Sequence, residues 1–134
     1  MKSALNPYLN FNGKAREAME FYKSMFGGEL AITTFGDMHI PNAPADGVMH
    51  AQLVVDGTSL LMGSDGMDDS NYHGFSLSLS GDVADELRGY FTKLSEDGNV
   101  TKPLEKESWG DEFGMVTDKF GISWMINISG AKVA

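Results

Sequence analysis

The residues best suited to chemistry sit two apart in one run: His50 and Gln52, within Val48 to Val55. The run reads as a strand, and a strand sends every second side chain to the same face. Met49, Ala51, Leu53 and Val55 take the face that meets a helix, so His50 and Gln52 project from the other. Two polar groups on a central strand are costly unless hydrogen-bonded or solvated. An imidazole with a supporting amide can hold a ligand, or act as a general base worth about 10²–10⁴-fold. The same pair also suits an edge or a dimer interface, where a neighbour satisfies the ring. Tyr8 and Asn10 share a face of Tyr8 to Asn12, and Ser123 and Asn127 share one of Ile122 to Ile128. Around Met62 and Met125 these groups would line a site for a neutral, partly apolar molecule, since methionine adapts to apolar shapes. Ser64 is a further hydroxyl that could polarise a carbonyl, and Ser76 and Ser78 are small inward candidates.

Trp109-Gly110-Asp111 lies in a turn-rich segment before a strand at Gly114 to Thr117. Trp109 there could close over a ligand at a pocket mouth or anchor a dimer interface, where Trp is enriched. Glu105, Glu107, Asp111 and Glu112 have no His among them and read as a solvated rim rather than a metal site. His39, in a proline-containing loop, has no evident partner. Trp124 shares the parity of Ile122 and Ile126 and belongs to the core. There is no Gly-x-Ser-x-Gly, no His-Glu-x-x-His and no phosphate-cradling glycine loop.

The elements that must position these residues come as a unit that nearly repeats. Ala15, Ala18, Met19, Tyr22, Met25 and Phe26 follow the spacing of a buried helix face, and Val83, Ala84, Leu87, Tyr90, Phe91 and Leu94 follow it again. Asn12 and Asp82 read as the N-caps, and Gly27 and Gly98 as left-handed C-caps. Strands are predicted at Tyr8 to Asn12, Leu30 to Phe35, Val48 to Val55 and Ser59 to Ser64, the last two joined across Asp56-Gly57. Those of the second half are Phe75 to Ser80, Val100 to Leu104, Gly114 to Thr117 and Ile122 to Ile128. Gly36 to Gly47 is irregular, and Asp65 to Asn71 is the polar joint. The result is an α+β chain of two βαβββ modules, about 6–66 and 72–130, in one domain, 1–134, with one site shared between the halves.

The 134 residues suffice for a core without disulfides or a structural metal, and cysteine is absent. A net charge of −9 without a Lys/Arg cluster argues against nucleic acid and anionic membrane partners. The N-terminus has no apolar leader run and no segment reaches transmembrane length, so a cytoplasmic protein is expected.

Several motifs in order carry a family resemblance: Pro7-Tyr8-Leu9-Asn10-Phe11, Glu17 to Tyr22 running into Phe26-Gly27-Gly28, Phe35-Gly36-Asp37, Met49-His50-Ala51, Leu61-Met62-Gly63-Ser64-Asp65, Trp109-Gly110-Asp111 and Thr117 to Asn127. Together they resemble the PhnB-like branch of the glyoxalase/bleomycin resistance (vicinal oxygen chelate) superfamily, from about residue 6 to 128. The resemblance implies the glyoxalase/bleomycin resistance/dioxygenase fold, with sheets curled into a cup around a small-molecule pocket, commonly in a homodimer. Metal-dependent members hold a divalent ion with four His or Glu side chains from the first and last strands of each module. The matching positions here are Pro7 (or Asn6 or Tyr8), Met62, one of Gly74, Phe75 and Ser76 beside His73, and Met125. None is a good zinc, nickel, iron or manganese ligand, so no metal and no cofactor are expected. The branch's labels of phosphonate metabolism and ubiquinone methylation find no glycine-rich cofactor turn, and both arginines, Arg16 and Arg88, lie on helices away from the cup.

The expectation is therefore a homodimeric, metal-independent small-molecule-binding protein, its ligand held by Tyr8, Asn10, His50, Gln52 and Asn127 with Met62 and Met125 packed against it. The alternative is an isomerase or lyase, metal-free or with an unorthodox metal, in which His50 is the general base and Tyr8 or Ser64 the polarising donor.

Overall fold

The computed structural model describes residues 3–66 and 74–130. The chain divides into two compact units, Met1–Ser70 and Asn71–Ala134. Each repeats the order strand, helix, strand, strand, strand.

The first unit runs β1 (Tyr8–Asn10), α1 (Ala15–Phe26), β2 (Glu29–Thr34), β3 (Val48–Val55) and β4 (Thr58–Ser64). Its sheet has the order β1-β4-β3-β2, with β1 parallel to β4 and the other pairs antiparallel. Helix α1 lies on one face, against β3, β2 and β4. Ala15, Ala18, Met19, Phe21 and Tyr22 are its buried residues, so Phe21 joins the predicted face while Met25 and Phe26 are only half-buried. Leu9, Ala51, Leu53 and Leu61 of the sheet are also buried. The β3–β4 hairpin turns through Asp56 (φ 52°) and Gly57 (φ 78°), the positive pair that a two-residue turn matching the strand twist requires.

The second unit runs β5 (Leu77–Gly81), α2 (Ala84–Ser95), β6 (Asn99–Lys106), β7 (Glu112–Thr117) and β8 (Ser123–Ile128), in the sheet order β5-β8-β7-β6. Again the first and last strands pair in parallel and the others antiparallel. Leu87 and Leu94 of α2 are buried, as are Val116, Trp124, Ile126 and Ile128 of the sheet it packs on. Val83, expected on the helix face, is exposed and precedes the helix.

The helix caps differ from expectation. Asn12 has φ 50° and does not cap α1; the Asp65 carboxylate, fifty positions later, accepts from the Ala15 N–H at 2.8 Å instead. Asp82 does not cap α2 either, since the flanking residue is Val83, whose side chain makes no capping bond. Gly27 has a positive φ of 73°, but its ψ of −153° is not that of the left-handed cap expected, and after α2 the positive φ falls to Asp97 (φ 54°). Gly98 is needed for a different reason: a Cβ there would meet the Thr117 carbonyl oxygen at 2.6 Å. Of the expected polar joint only Asp65 and Gly66 are among the described residues, and 67–71 lie outside them, as does His73.

Candidate functional site

Strand register sets which side chains share a face. In the first sheet Tyr8, Met62, Gln52 and Ala31 stand in one cross-strand row. The next row along, Leu9, Gly63, Ala51 and Ile32, has the opposite parity and faces α1. Beyond it Asn10 pairs with Ser64, and Thr33 with His50, on the same side as Tyr8. Thus Tyr8, Asn10, His50, Gln52, Met62 and Ser64, singled out separately in sequence, share the sheet face away from the helix.

Their surroundings differ. Tyr8 is 52% exposed, and its Oη lies 3.3 Å from His50 Nδ1, with the rings 5.7 Å apart. The phenol donates if Nδ1 is bare, and accepts if Nδ1 carries the proton. Gln52 and Met62 are half-buried, and the Gln52 amide has no hydrogen-bond partner among the described residues. Asn10 Oδ1 accepts the Asn12 N–H at 3.1 Å, so its oxygen is partly spent on its own turn. Ser64 is on that face by register but only 9% exposed.

Sequence reasoning missed the residue that fixes this arrangement. Asp65 Oδ2 accepts the Val48 N–H at 2.7 Å, and the Asp65 N–H donates back to the Val48 carbonyl at 2.9 Å. This double link pins β3 two residues before His50, while Oδ1 caps α1. The polar, turn-rich context of Asp65 disguised it as part of a joint; a carboxylate directly after a strand was the available signal.

The second sheet also has a face away from its helix. Met125 stands in register with Met115 and Ser78, and Asn127 with Phe113 and Ser80. Asn127 Nδ2 donates to Asp111 Oδ2 at 3.1 Å, so it is engaged within its own unit. Trp109 is exposed beside Phe113, ring centroids 6.3 Å apart. The acidic side chains make bonds within their own unit. Glu112 pairs with Arg88 at 2.7 Å, Lys102 bonds Glu107 and lies 3.6 Å from Glu105, and Asp111 accepts from Asn127 and the Gly130 N–H. The Glu107 hydrogen bond, more than burial can offset, raises the Lys102 pKa above its ordinary value.

A cleft of about 630 Å³ opens elsewhere in the first unit, beside the start of α1, lined by Lys14, Arg16, Glu20, Phe35 and Asp46 among others. None of the ligand-binding residues expected from the sequence lines it. Asp65 does, with both carboxylate oxygens already committed to main-chain N–H groups.

The described residues at the strand positions that the resemblance assigns to a divalent ion are not common ligands of one. The row at Tyr8 presents a phenol, a thioether and an amide, and the matching row of the second sheet presents Met125. Among the described residues no three His, Asp or Glu side chains converge. No helix there is long and apolar enough to cross a membrane.

Comparison with known proteins agrees with this geometry. A family model described as 3-demethylubiquinone-9 3-methyltransferase matches residues 3–127. Protein YjdN of Escherichia coli K12 is 32% identical over 92% of this chain and 94% of its own. The crystal structure of protein PA1353 from Pseudomonas aeruginosa superposes with a TM-score of 0.84 at 40% identity, covering 96% of this chain and 98% of that one. A Bacillus cereus structure described as a PhnB protein gives 0.75 at 27% identity, over 95% and 100% of the two chains. At the level of fold alone, a glyoxylase/bleomycin resistance protein/dioxygenase domain from a Frankia species gives 0.66 at 14% identity, over 100% and 96%.

Proposed function

We infer that this chain, which belongs to the PhnB-like family of the glyoxalase/bleomycin resistance superfamily, binds a small, neutral, partly apolar molecule without a divalent metal. The observation that carries the reading is the shared face of the first sheet, where the Tyr8–His50 pair lies beside Gln52 and Met62. A phenol, an imidazole and an amide with no hydrogen-bond partner among the described residues offer donors and acceptors without fixed charge, and a thioether offers adaptable apolar contact. Binding pockets combine these ingredients: mostly apolar walls and a few polar groups that set orientation.

Methyl transfer, which the family description names, is not supported by this architecture. Nucleotide cofactors sit at glycine-rich turns that open a helix from a parallel sheet. Here the strand-to-helix turn before α1 delivers its first N–H to the Asp65 carboxylate, and both sheets are mixed.

A second reading has its own support in the Tyr8–His50 contact. With the proton on Nδ1, His50 donates to Tyr8 Oη, leaving Nε2 free to accept a proton from carbon next to a carbonyl. The Tyr8 hydroxyl hydrogen would then be free to polarise that carbonyl. This is isomerase or lyase chemistry. We also place the working form as a homodimer, for which Met38 and Ile40, exposed in the loop before β3, are the candidate apolar surface. Light scattering on the wild type and a Met38→Ser/Ile40→Ser variant tests that assignment.

The deciding test of the main reading has two arms. Elemental analysis of tag-free protein purified without chelator, with a thermal-shift series over zinc, nickel, manganese and iron, is expected to show no stoichiometric metal and no shift. Nuclear magnetic resonance screening against small neutral compounds should then give hits that perturb His50. Undiminished affinity for those hits in a Tyr8→Phe/His50→Ala protein rejects the site.

A further inference from the structure

We propose that the cleft beside the start of α1 binds a small zwitterion, an ammonium and a carboxylate carried on one apolar body, of which an amino acid with an apolar side chain is the simplest. The site is separate from the Tyr8–His50 face, and none of the residues on that face lines it. Its volume of about 630 Å³ falls within the ~300–1,000 Å³ of small-molecule pockets. Phe35, Pro44 and the buried Val48 give it apolar surface. The elements around it are held in place. The Phe35 N–H donates to the Gly47 carbonyl at 3.0 Å, the Gly36 N–H to the Ala45 carbonyl at 2.8 Å and the Gly47 N–H to the Pro44 carbonyl at 3.0 Å. Gly47 sits so near the Phe35 ring that a Cβ would stand 3.1 Å from it. Asp65 in turn ties the start of α1 to the start of β3. A cleft formed before its ligand arrives loses little freedom on binding.

The charged lining selects the occupant. Lys14 and Arg16 bring two positive charges, and Glu17, Glu20 and Asp46 bring three negative ones. Lys14 and Glu17 stand at i, i+3 and Arg16 and Glu20 at i, i+4, spacings at which opposite charges on a helix pair. Neither couple closes into an ion pair, and none of the five side chains has an ion-pair or hydrogen-bond partner among the described residues. Their order is the less favourable one, with the cation nearer the helix N-terminus. Asp65 stands outside this set, because both its oxygens serve main-chain N–H groups. An anion in the cleft would face three carboxylates, and a cation would face Lys14 and Arg16. An uncharged compound would displace water from all five groups without replacing it. A zwitterion meets both signs. The Arg16 guanidinium suits a carboxylate, which it takes in two parallel hydrogen bonds, and the acidic side chains suit an ammonium.

Three probes of one shape and different charge test this. The ¹⁵N-labelled full chain is titrated with L-phenylalanine, with phenethylamine, which lacks the carboxylate, and with 3-phenylpropionate, which lacks the ammonium. The amides of Gly13, Gly47 and Gly66, which line the cleft, report its occupancy. Phenylalanine is expected to move them at millimolar concentration and to bind about two- to fivefold more tightly than either analogue, the range of one exposed charge pair. Arg16→Met should erase its advantage over phenethylamine, and Glu20→Gln/Asp46→Asn its advantage over 3-phenylpropionate. All three positions are exposed, so the variants should keep the fold, and the amide spectrum outside the cleft checks that they do. Equal or tighter binding of phenethylamine overturns the proposal by making the cleft a cation site. Equal or tighter binding of 3-phenylpropionate overturns it by making the cleft an anion site. Absence of shifts at the three glycine amides with every compound overturns it too, as does an advantage of phenylalanine that survives both variants. None of these results bears on the Tyr8–His50 face, which the His50 screen tests separately.

Discussion

The Asp65 carboxylate bridges Ala15 and Val48, taking the first N–H of α1 on one oxygen and the first N–H of β3 on the other, at 2.8 and 2.7 Å. One side chain thereby fixes where the helix starts and where the strand bearing His50 starts. Asp65→Ala removes a helix cap and leaves a second main-chain N–H without its acceptor, for a combined loss of about 2–4 kcal/mol. Asp65→Asn, which retains an acceptor, should lose less. Urea unfolding reads this as a lower midpoint at unchanged slope. An unchanged midpoint in Asp65→Ala contradicts the bridge.

A second carboxylate organises the end of the other unit. Asp118 is only 3% exposed, and its oxygens accept from the Phe120 and Ile122 N–H groups and from Trp124 Nε1 at 2.9, 3.1 and 2.8 Å. Asp118→Ala strands several buried donors and should destabilise the protein by at least about 3 kcal/mol. The Trp124 indole signal should move upfield as its acceptor is lost, with Trp109 unaffected. A thermal midpoint within a degree or so of wild type contradicts this role.

The sequence made the elements and their faces legible because period is a property of neighbouring residues. The alternation of Leu9 with Tyr8 and Asn10, and of Ala51 with His50 and Gln52, placed both polar pairs on the faces the register gives them. What it did not disclose depends on residues far apart in the chain. Asn12 has the right type and position for a cap, but its φ of 50° belongs to the turn, and the cap comes from Asp65. Ser64 has the parity of the open face yet is buried, because strand parity gives a direction and not a depth. The contact between Tyr8 and His50, 42 positions apart, rests on β4 lying between their strands, an order that no local pattern states.

Two surface groups give opposite pH signatures. Asp37 accepts the Thr34 N–H at 2.9 Å and its own N–H donates to Thr34 Oγ1 at 3.0 Å. The Thr34 main-chain bond, then its hydroxyl, holds the Asp37 carboxyl below the ordinary 3.8. A depressed carboxyl stabilises above the unfolded value and loses that contribution as pH falls through the folded value. Lys102 is raised above 10.5, first by its bond to Glu107, so its contribution is full below the unfolded value and is lost as pH rises through the folded one. Thr34→Val should move the Asp37 carbon-13 titration up toward the ordinary value, and Glu107→Gln should move the Lys102 titration down. Asp37 is exposed and Lys102 is half-buried at the surface, so the global melting temperature should barely change. A shift of either titration in the other direction contradicts the assigned cause.

The tautomer of His50 separates the two functional readings. The 3.3 Å contact with Tyr8 Oη can form with the proton on either atom. General-base chemistry at Nε2 requires the proton on Nδ1, with Tyr8 accepting, because a neutral imidazole has only one bare nitrogen. Ligand binding is served by either form. Nitrogen-15 spectra of His50 distinguish them directly. If the Nδ1–H form dominates, Tyr8→Phe should shift the ring toward the Nε2–H form, and any turnover found should fall by about 10²-fold or more in His50→Ala. If Nε2 carries the proton with Tyr8 donating to Nδ1, the free nitrogen is a donor, and binding is the function of this face. Tyr8→Phe then weakens ligand affinity without changing the tautomer's role. A compound turned over at an unchanged rate by His50→Ala removes this face from the chemistry altogether.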